Sequence, residues 1–323
     1  MITDYQWPSL EIEHAILTPL PAELMVAESG DEEELLQLAP QADAIMACWK
    51  PVTPAVVDAA PKCRIITRYG VGLDNIPVDH ATKLGIPVTY SPTYCLEEVA
   101  EHALALVFAM ARRVTRFDRA LRAGDYPGVP FKGMRRISGK TMGVLGYGNI
   151  GRTLAAKARG LGMEVIVHDP QIGTLPANEG RAVDFETLLA EADVLSVHVP
   201  LTGGTHGLLN GKTLGRMKPG AFLVNTSRGP VVDLDALHEA LEGERLAGAA
   251  LDVFPVEPPD LQHPVFSHPN FVATPHASFF SEESVENLQR MAAGQVRDCL
   301  MGQTPGNIVN PDFADHRPRF AEP

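Results

Sequence analysis

Short apolar runs alternate with polar stretches along the N-terminal part of the chain. Four runs have the length and composition of buried strands, at residues 14–20, 42–48, 64–69 and 87–90. Polar stretches with helical spacing separate them, at residues 33–38, 54–60 and 79–84. Because strands that alternate with helices form parallel β-α-β units, we predict an α/β unit here rather than a β-sandwich.

One longer helix is predicted at residues 97–113. Glutamates lie at its start, and Arg112 and Arg113 at its end, which is the arrangement that the helix dipole favours. Its middle, residues 103–111, is apolar on every face. This predicts a helix that is buried all round, inside a domain or in a subunit interface. The glycines and prolines of residues 122–139 predict an irregular connector after it.

A second and more regular alternation begins at Thr141. Its predicted strands are residues 141–145, 164–169, 194–198, 222–225, 248–252 and 271–274. Its predicted helices are residues 149–161, 184–191, 209–217 and 234–242. Six parallel strands with helices between them make a doubly wound Rossmann sheet. A long amphipathic helix at residues 282–301 follows, and we expect the tail from Asp312 to be frayed.

Composition and charge exclude several classes of partner. The chain has 323 residues and a net charge of −13, which would repel a nucleic-acid backbone. Its longest apolar run, residues 103–111, is too short to span a membrane, and the N-terminus has no secretory signal pattern. Four scattered cysteines form no CxxC pair. We expect a cytoplasmic protein without nucleic-acid or membrane partners.

A glycine-rich turn follows the predicted strand at residues 141–145 and opens the next helix. Gly146, Gly148 and Gly151 fit the G-x-G-x-x-G pattern. In that pattern the first glycine allows a tight turn, the second lets the backbone approach a pyrophosphate, and the third lets the helix pack closely on the strand. The helix N-terminus offers N–H donors to the anion. The sequence therefore predicts a dinucleotide site.

Asp169 ends the next predicted strand. A carboxylate at this place accepts hydrogen bonds from the adenosine ribose hydroxyls and repels a 2′-phosphate. Neither Arg nor Lys occurs in residues 170–174, so the sequence favours NAD over NADP. The alternative is an aspartate that only caps a turn.

Three polar residues, Arg228, Glu257 and His276, each follow a predicted strand. Ligands of open α/β sheets bind at that carboxyl edge. A guanidinium can pair with a substrate carboxylate, a histidine can protonate a carbonyl oxygen, and a neighbouring glutamate can orient the ring. Spacing alone does not bring the three together, so a surface ion pair or a loop histidine stays open for each.

Several strings in this order resemble the D-isomer-specific 2-hydroxyacid dehydrogenase family. Residues 92–100 and 276–283 look most like its C-terminal-binding-protein-like branch. The family strings are residues 68–76 (RYGVGLDNI), 146–151 (GYGNIG), 198–202 (HVPLT), 225–229 (NTSRG), 251–258 (LDVFPVEP) and 274–277 (TPHA).

The resemblance implies hydride transfer between NAD(H) and a small D-2-hydroxy acid or 2-keto acid, with Arg228, Glu257 and His276 as the catalytic residues. It also implies a homodimer and no metal. The layout it implies is a Rossmann NAD-binding domain, residues 100–283, inserted into a smaller flavodoxin-like α/β substrate domain, residues 1–99 with 284–323.

Binding residues also follow from the resemblance, with Asp252 expected to hold the nicotinamide carboxamide. Those implied for the cofactor are Gly146, Gly148, Asn149, Ile150, Gly151, Asp169, Val199, Pro200, Thr205, Thr226, Ser227, Arg228, Asp252 and His276. Those implied for the substrate are Arg68, Val71, Gly72, Arg228 and Phe279. Phe279 and Phe280 stand where the branch often has Trp-Tyr, so its substrate preference is not transferred.

Two other functions stay open at this point. One is an NAD(H)-sensing scaffold, or corepressor-like protein, that binds protein partners. The other is a dehydrogenase of another small anion such as phosphite. Formate is disfavoured, because the formate enzymes carry Gln where Glu257 stands. We expect no metal at His263 and His268, which lie five residues apart in a Pro-rich loop, since nicotinamide hydride chemistry needs none.

Overall fold

The computed structural model describes residues 1–126 and 133–316. It divides into two compact units, which we call unit 1 (Met1–Cys95 with Ser281–Pro323) and unit 2 (Leu96–Phe280). Each division falls at the start of a helix, whereas the predicted boundaries, near residues 100 and 283, lie inside those helices.

The elements alternate as β-α units in both halves of the chain. The strands are β1 (Ile45–Ala47), β2 (Ile66–Arg68), β3 (Val88–Thr89), β4 (Thr141–Leu145), β5 (Glu164–His168), β6 (Arg181–Ala182), β7 (Val194–Val197), β8 (Ala221–Asn225), β9 (Leu246–Leu251) and β10 (Phe271–Ala273). The helices are α1 (Glu11–Leu17), α2 (Glu32–Leu38), α3 (Pro54–Asp58), α4 (Val78–Lys83), α5 (Leu96–Ala111), α6 (Val114–Arg122), α7 (Asn149–Gly160), α8 (Phe185–Glu191), α9 (Gly211–Leu214), α10 (Leu234–Glu242) and α11 (Glu282–Leu300).

Unit 1 is built on a parallel sheet in the order β1-β2-β3, with Ile45 opposite Ile66 and Ile66 opposite Val88. Ile2 forms parallel bridges to both Val26 and Met46. Counted along the chain, the segment at Ile2 is first, the one at Val26 second, and β1, β2 and β3 are third, fourth and fifth. Their order across the sheet is therefore 2-1-3-4-5, which is the order of the flavodoxin-like fold.

The strand predicted at residues 14–20 is wrong, because the chain forms α1 there. Glu13 and Leu17, four residues apart, are the buried positions of this helix. The Glu13 carboxylate accepts hydrogen bonds from the Tyr69 hydroxyl at 2.9 Å and from Gln289 Nε2 at 2.8 Å. A short apolar run does not distinguish a strand from one turn of buried helix.

Unit 2 is built on a seven-stranded sheet in the order β10-β9-β8-β7-β4-β5-β6, with every pairing parallel. The sequence predicts six of these strands and misses β6, which has two residues and is partly exposed. The strand order reverses between β4 and β7. In such a sheet, ligands bind at the carboxyl ends of the strands beside this switch point.

Helices cover both faces of the unit 2 sheet. One apolar core lies between the sheet and α8, α9 and α10, and the other between the sheet and α5 and α7. Leu145 belongs to the first core and Val144 to the second, because successive strand residues point to opposite faces. Both faces of β4 are therefore covered by apolar side chains, and polar groups can lie at its carboxyl end.

Two further predictions need correction in unit 2. Helix α5 exposes Ala105 and Phe108 in the single chain, so its burial all round, inside a domain or in a subunit interface, stays a prediction. It ends at Ala111 rather than residue 113, because Arg113 adopts a left-handed conformation (φ 55°) before α6 begins. The helix predicted at residues 209–217 is confined to α9, which an Asn210–Thr213 capping box begins. Of the connector predicted at residues 122–139, Arg122 ends α6, and residues 127–132 lie outside the described residues.

The tail predicted to fray from Asp312 is ordered as far as the structure describes it. A 3₁₀ helix spans Pro311–Asp315. Asn310 anchors it, accepting a hydrogen bond from the Val88 N–H at 2.7 Å and donating to the Ile86 carbonyl at 3.0 Å. The prediction for residues 317–323 lies outside the described residues. Across the described parts of the chain, no helix has the length and apolarity to cross a membrane.

Candidate active site

The glycine turn after β4 leaves open space at one position and excludes side chains at two others. A Cβ on Gly146 (φ 95°) would lie 2.8 Å from the His198 carbonyl carbon, and one on Gly151 would overlap the Gly146 carbonyl oxygen. At Gly148, the residue that precedes α7, no atom lies within 4 Å of the Cβ position. This cradle at a helix N-terminus fits a phosphate group.

Asp169 lies directly beside this turn. Its Oδ2 accepts a hydrogen bond from the Tyr147 N–H at 2.8 Å, and its Oδ1 accepts one from the Gln171 N–H at 2.9 Å. Asp169 therefore caps its own turn and is also fixed against the glycine motif. A carboxylate has about four acceptor sites, so this geometry also leaves acceptor capacity for ribose hydroxyls.

The loop after β7 packs against the same turn. Thr205 Oγ1 donates to the Pro200 carbonyl at 2.6 Å and accepts from the Thr202 N–H at 2.8 Å, which fixes the path of residues 199–205. Burial lowers the pKa of His198, which precedes this loop, to about 4. The imidazole is therefore neutral at pH 7 and adds no charge to the cradle.

The loop after β8 carries Thr226, Ser227 and Arg228. Asn225 organises it, since its Oδ1 accepts from the Ser227 N–H at 3.0 Å and its Nδ2 donates to the Arg228 carbonyl at 2.9 Å. Within the described residues, the Thr226 Oγ1 is buried without a hydrogen-bond partner. A buried hydroxyl of this kind is costly unless a ligand satisfies it. The residues of this edge thus fit a bound dinucleotide.

His276 and Glu257, from the loops after β10 and β9, form a pair at the same edge. His276 Nδ1 lies 2.7 Å from Glu257 Oε2, and Glu257 Oε1 accepts from the Phe254 N–H at 2.9 Å. Burial alone would raise the pKa of Glu257, but its bonds to His276 and Phe254 bring that pKa below its usual value. Since a carboxylate only accepts, Nδ1 carries the proton of this hydrogen bond.

Asp252, at the end of β9, has a task that the sequence does not reveal. It is fully buried, and it accepts hydrogen bonds from the Ala277 and Ser278 N–H groups, each at 2.9 Å. Its own carbonyl accepts the His276 N–H at 2.7 Å. One residue thus holds the turn on which His276 lies. Its expected contact with the nicotinamide carboxamide stays a prediction.

An aromatic wall adjoins the His276 ring. The Phe279 ring lies edge-on to it with centroids 6.3 Å apart, and Phe280 packs in the same manner on Phe279. Phe280 is 61% exposed. The predicted substrate residue Phe279 is therefore beside His276.

The remaining predicted substrate residues lie in unit 1, where Arg68 supports the loop that contains Val71 and Gly72. Its Nε donates to the Gly72 carbonyl at 3.0 Å, and its Nη1 donates to the Tyr69 carbonyl. Gly70 leaves room for the guanidinium, which would lie 3.1 Å from a Cβ there. Arg68 thus shapes the loop whose backbone is expected to meet a carboxylate.

Of the site residues that the sequence did not predict, Ser278 and Phe254 act through backbone N–H groups and Thr274 through its hydroxyl. Thr274 and Ser278 bind Asp252, and the Phe254 amide binds Glu257. Thr274 is part of the TPHA string, so its position could have been noticed. The turn that brings two N–H groups onto one carboxylate has no signature in residue spacing.

Comparison with known proteins agrees with this geometry. The family model described as "D-isomer specific 2-hydroxyacid dehydrogenase, NAD binding domain" matches residues 104–278. A "Glyoxylate reductase" of Thermofilum pendens is 37% identical over 92% of this chain and 91% of its own.

Two solved structures share the architecture. A D-lactate dehydrogenase from Aquifex aeolicus, complexed with NAD and lactic acid, has a TM-score of 0.84 and 28% identity over 93% of this chain and 96% of its own. An acyclic imino acid reductase (Bsp5) in complex with NADPH and D-Arg has a TM-score of 0.86 and 27% identity over 95% of this chain and 98% of its own.

The fold and the edge of polar residues define a dinucleotide-binding oxidoreductase. The chain belongs to the D-isomer specific 2-hydroxyacid dehydrogenase family. The finer resemblance to the C-terminal-binding-protein-like branch is not confirmed.

Proposed function

We propose that the protein is a dehydrogenase that transfers hydride between NAD(H) and a small D-2-hydroxy acid or 2-keto acid. The observation that carries this proposal is the 2.7 Å contact between His276 and Glu257 at the edge that the glycine turn also reaches. A carboxylate-oriented histidine beside a dinucleotide cradle suits reduction of a carbonyl, which needs one hydride and one proton.

Each catalytic residue has one task in this proposal. When bound, NADH supplies the hydride for the substrate's C2 carbon. Arg228 binds the substrate carboxylate through its guanidinium. His276 Nε2 gives a proton to the carbonyl oxygen during reduction, and takes it back when a hydroxy acid is oxidised. Glu257 holds the Nδ1–H and stabilises the imidazolium.

NAD is the proposed cofactor in preference to NADP. Asp169 supports this, since its carboxylate is fixed beside the glycine turn by the Tyr147 and Gln171 amides. A 2′-phosphate brought to this place would meet a negative charge. The related reductase that binds NADPH makes the preference a property to be measured on this chain.

A homodimer in the cytoplasm is the proposed state of the protein. Exposed apolar side chains cluster at the end of α5, along α6 and just after it. They are Phe108 (37% exposed), Val114 (56%), Leu121 (54%) and Tyr126 (89%). Several exposed apolar side chains within one short stretch of chain support a symmetric contact with a second copy.

A panel of 2-keto acids tests the proposed activity. Deuterated NADH is mixed with glyoxylate, hydroxypyruvate, pyruvate and a branched-chain 2-keto acid, and the products are examined by chiral chromatography and mass spectrometry. We expect deuterium at C2 of the 2-hydroxy acid from at least one substrate, with D configuration wherever C2 bears a carbon side chain. Tight NADH binding with no turnover on any of these acids would instead support the scaffold function. Reduction of NAD⁺ by phosphite in a separate assay, with no turnover of any keto acid, would support the other dehydrogenase.

A further inference from the structure

The backbone of His276 is held in a conformation that other residues must enforce. Its φ is 54°, in the left-handed region that is unfavourable for a residue other than glycine. The next two N–H groups, of Ala277 and Ser278, bind the two oxygens of Asp252. The orientation of the His276 ring therefore depends on the orientation of the Asp252 carboxylate.

Two residues in turn fix that carboxylate. The Thr274 hydroxyl donates to Asp252 Oδ1 at 2.5 Å. His102 Nε2, on α5, lies 2.9 Å from Thr274 Oγ1 and 3.7 Å from Asp252 Oδ1. A hydroxyl has one proton, and here it is directed to the carboxylate. His102 must therefore donate to Thr274, which gives a hydrogen-bond chain that runs from His102 through the Thr274 hydroxyl to the accepting Asp252 carboxylate.

We propose that His102 and Thr274 are positioning residues for His276, acting through the Asp252 carboxylate. This inference rests on the proposed function, because it assigns His276 the role of acid and base. Neither residue needs to touch the substrate. Together they connect α5, on one face of the unit 2 sheet, to the loop at its carboxyl edge.

The simpler interpretation is that His102 is only a core histidine with one satisfied nitrogen. The direction of the hydrogen bonds argues against it. Loss of the His102 donor leaves the hydroxyl of Thr274 able to rotate, and loss of that hydroxyl leaves Oδ1 with one donor fewer. A displacement of the acid by about 1 Å can lower kcat about 100-fold, so a small change in this chain has a functional consequence.

Four variants separate the two interpretations. Thr274→Val removes the hydroxyl at nearly constant shape, and Thr274→Ser keeps it. His102→Leu removes the donor, and His102→Gln keeps an N–H at a similar distance from the backbone. We expect kcat to fall about 10-fold to 100-fold in the Val and Leu variants, with the NADH dissociation constant and the KM for the keto acid within about twofold of wild type. The Ser and Gln variants should recover most of the loss.

A second measurement does not depend on turnover. Amide hydrogen exchange of Ala277 and Ser278 reports their bonds to Asp252 directly. It should be faster in the Val and Leu variants and near wild type in the Ser and Gln variants. Thr18→Val is the matched control, since the Thr18 hydroxyl bonds back to the His14 carbonyl of unit 1 at 2.7 Å. Its kcat and its exchange at Ala277 and Ser278 should not change.

The outcomes distinguish this inference from the proposed function. If wild type reduces no keto acid, the proposed function fails, whereas the exchange data still test the positioning chain. If wild type is active and Thr274→Val has the same kcat and the same exchange at Ala277 and Ser278, the positioning role is overturned. A loss of kcat that the Ser and Gln variants do not recover also overturns it.

Discussion

At the scale of single residues, the site depends on carboxylates that are held by hydrogen bonds rather than by ion pairs with Lys or Arg. Asp252 accepts from Thr274, Ala277 and Ser278, and Glu257 accepts from Phe254 and contacts His276. The buried Asp252 carboxylate stays charged because these donors replace the water it loses, and the partly exposed Glu257 is held by the same kind of bonds. Their charge state is therefore tied to the shape of the turns they hold.

The pH dependence of stability tests this for Asp252. Burial alone would raise its pKa, but bonds from Ser278, Thr274 and the backbone amides outweigh burial and lower it below the usual 3.8. A lowered folded-state pKa contributes stability above the unfolded-state value, and this stability is lost as the pH falls through both values. At neutral pH, Asp252→Asn should lose about 1–3 kcal/mol of unfolding free energy, because a buried N–H loses its acceptor.

Urea unfolding at neutral pH and at about pH 3 measures the effect. The gap in unfolding free energy between wild type and Asp252→Asn should narrow at the lower pH, because the unfolded-state aspartate takes up a proton below its ordinary pKa of 3.8 before the folded carboxylate does. A gap of the same size at both pH values would contradict the assignment of an ionised, turn-holding Asp252.

Asp169 is the residue on which cofactor choice is predicted to depend. Asp169→Ala removes the carboxylate that repels a 2′-phosphate and accepts from the ribose, so NADH binding should weaken and its advantage over NADPH should shrink. Fluorescence titration with both nucleotides measures the ratio of dissociation constants. An unchanged ratio would show that another group selects the cofactor. Asp260→Asn, in an exposed loop, is a control that should leave the ratio unchanged.

At the scale of elements, the turn between β4 and α7 contains one glycine that packing requires, Gly151, and one that cofactor binding is expected to require, Gly148. A Cβ on Gly151 would overlap the Gly146 carbonyl oxygen, whereas the Cβ position on Gly148 is open to beyond 4 Å. Gly151→Ala should therefore lower the melting temperature. Gly148→Ala should melt near wild type but bind NADH at least about 10-fold more weakly, because its methyl group occupies the path of the pyrophosphate. The two variants are each other's control in calorimetry and nucleotide titration. Equal NADH affinity of Gly148→Ala and wild type would contradict the prediction that the cofactor pyrophosphate binds at this turn.

Most elements follow from hydrophobic periodicity, because long runs such as β4 and α11 bury a regular pattern. The exceptions are short. In α1 the buried positions include a glutamate, Glu13, whose burial depends on Tyr69 and Gln289 far along the chain. Strand β6 has two residues and is defined by its parallel pairing with β5. Local sequence does not contain these distant partners, so it could not predict either element.

The same difference between local and distant partners decides which parts of the site could be predicted from the sequence. The glycine motif and Asp169 are predictable because one strand-turn-helix unit contains their whole mechanism. The contact of His276 with Glu257 required two loops to converge, and residue spacing left it open until the resemblance to a family was considered. The role of the buried Asp252 carboxylate depends on the turn after β10. The left-handed residue of this turn is His276 rather than a glycine, so the sequence does not mark the turn.

At the scale of the whole molecule, an acidic chain is proposed to bind an anionic cofactor and an anionic substrate. A net charge of −13 opposes both at long range. Binding must then rest on local positive features, which in unit 2 are the N-terminus of α7 and the guanidinium of Arg228. The net charge of the whole chain therefore does not describe the charge of the site.

Self-association also belongs to this scale. If the exposed apolar residues on α5 and α6 contact a second copy, Leu121→Asp should convert dimer to monomer in sedimentation velocity at micromolar concentration, because a charge buried in an apolar interface is unfavourable. Met301→Asp, at an exposed apolar position in unit 1, is the matched control and should stay dimeric. A monomeric wild type, or a dimeric Leu121→Asp, would contradict the proposed interface.

The most direct test of the account is single-turnover hydride transfer in wild type, His276→Ala and Glu257→Gln, each saturated with NADH and mixed with the best 2-keto acid. Positioned proton transfer contributes about 10²–10⁴-fold, so NADH oxidation should slow by that order in His276→Ala and by a smaller factor in Glu257→Gln. NADH affinity should be retained in both variants. Equal rates in wild type and His276→Ala would contradict the assignment of His276 as the acid and base.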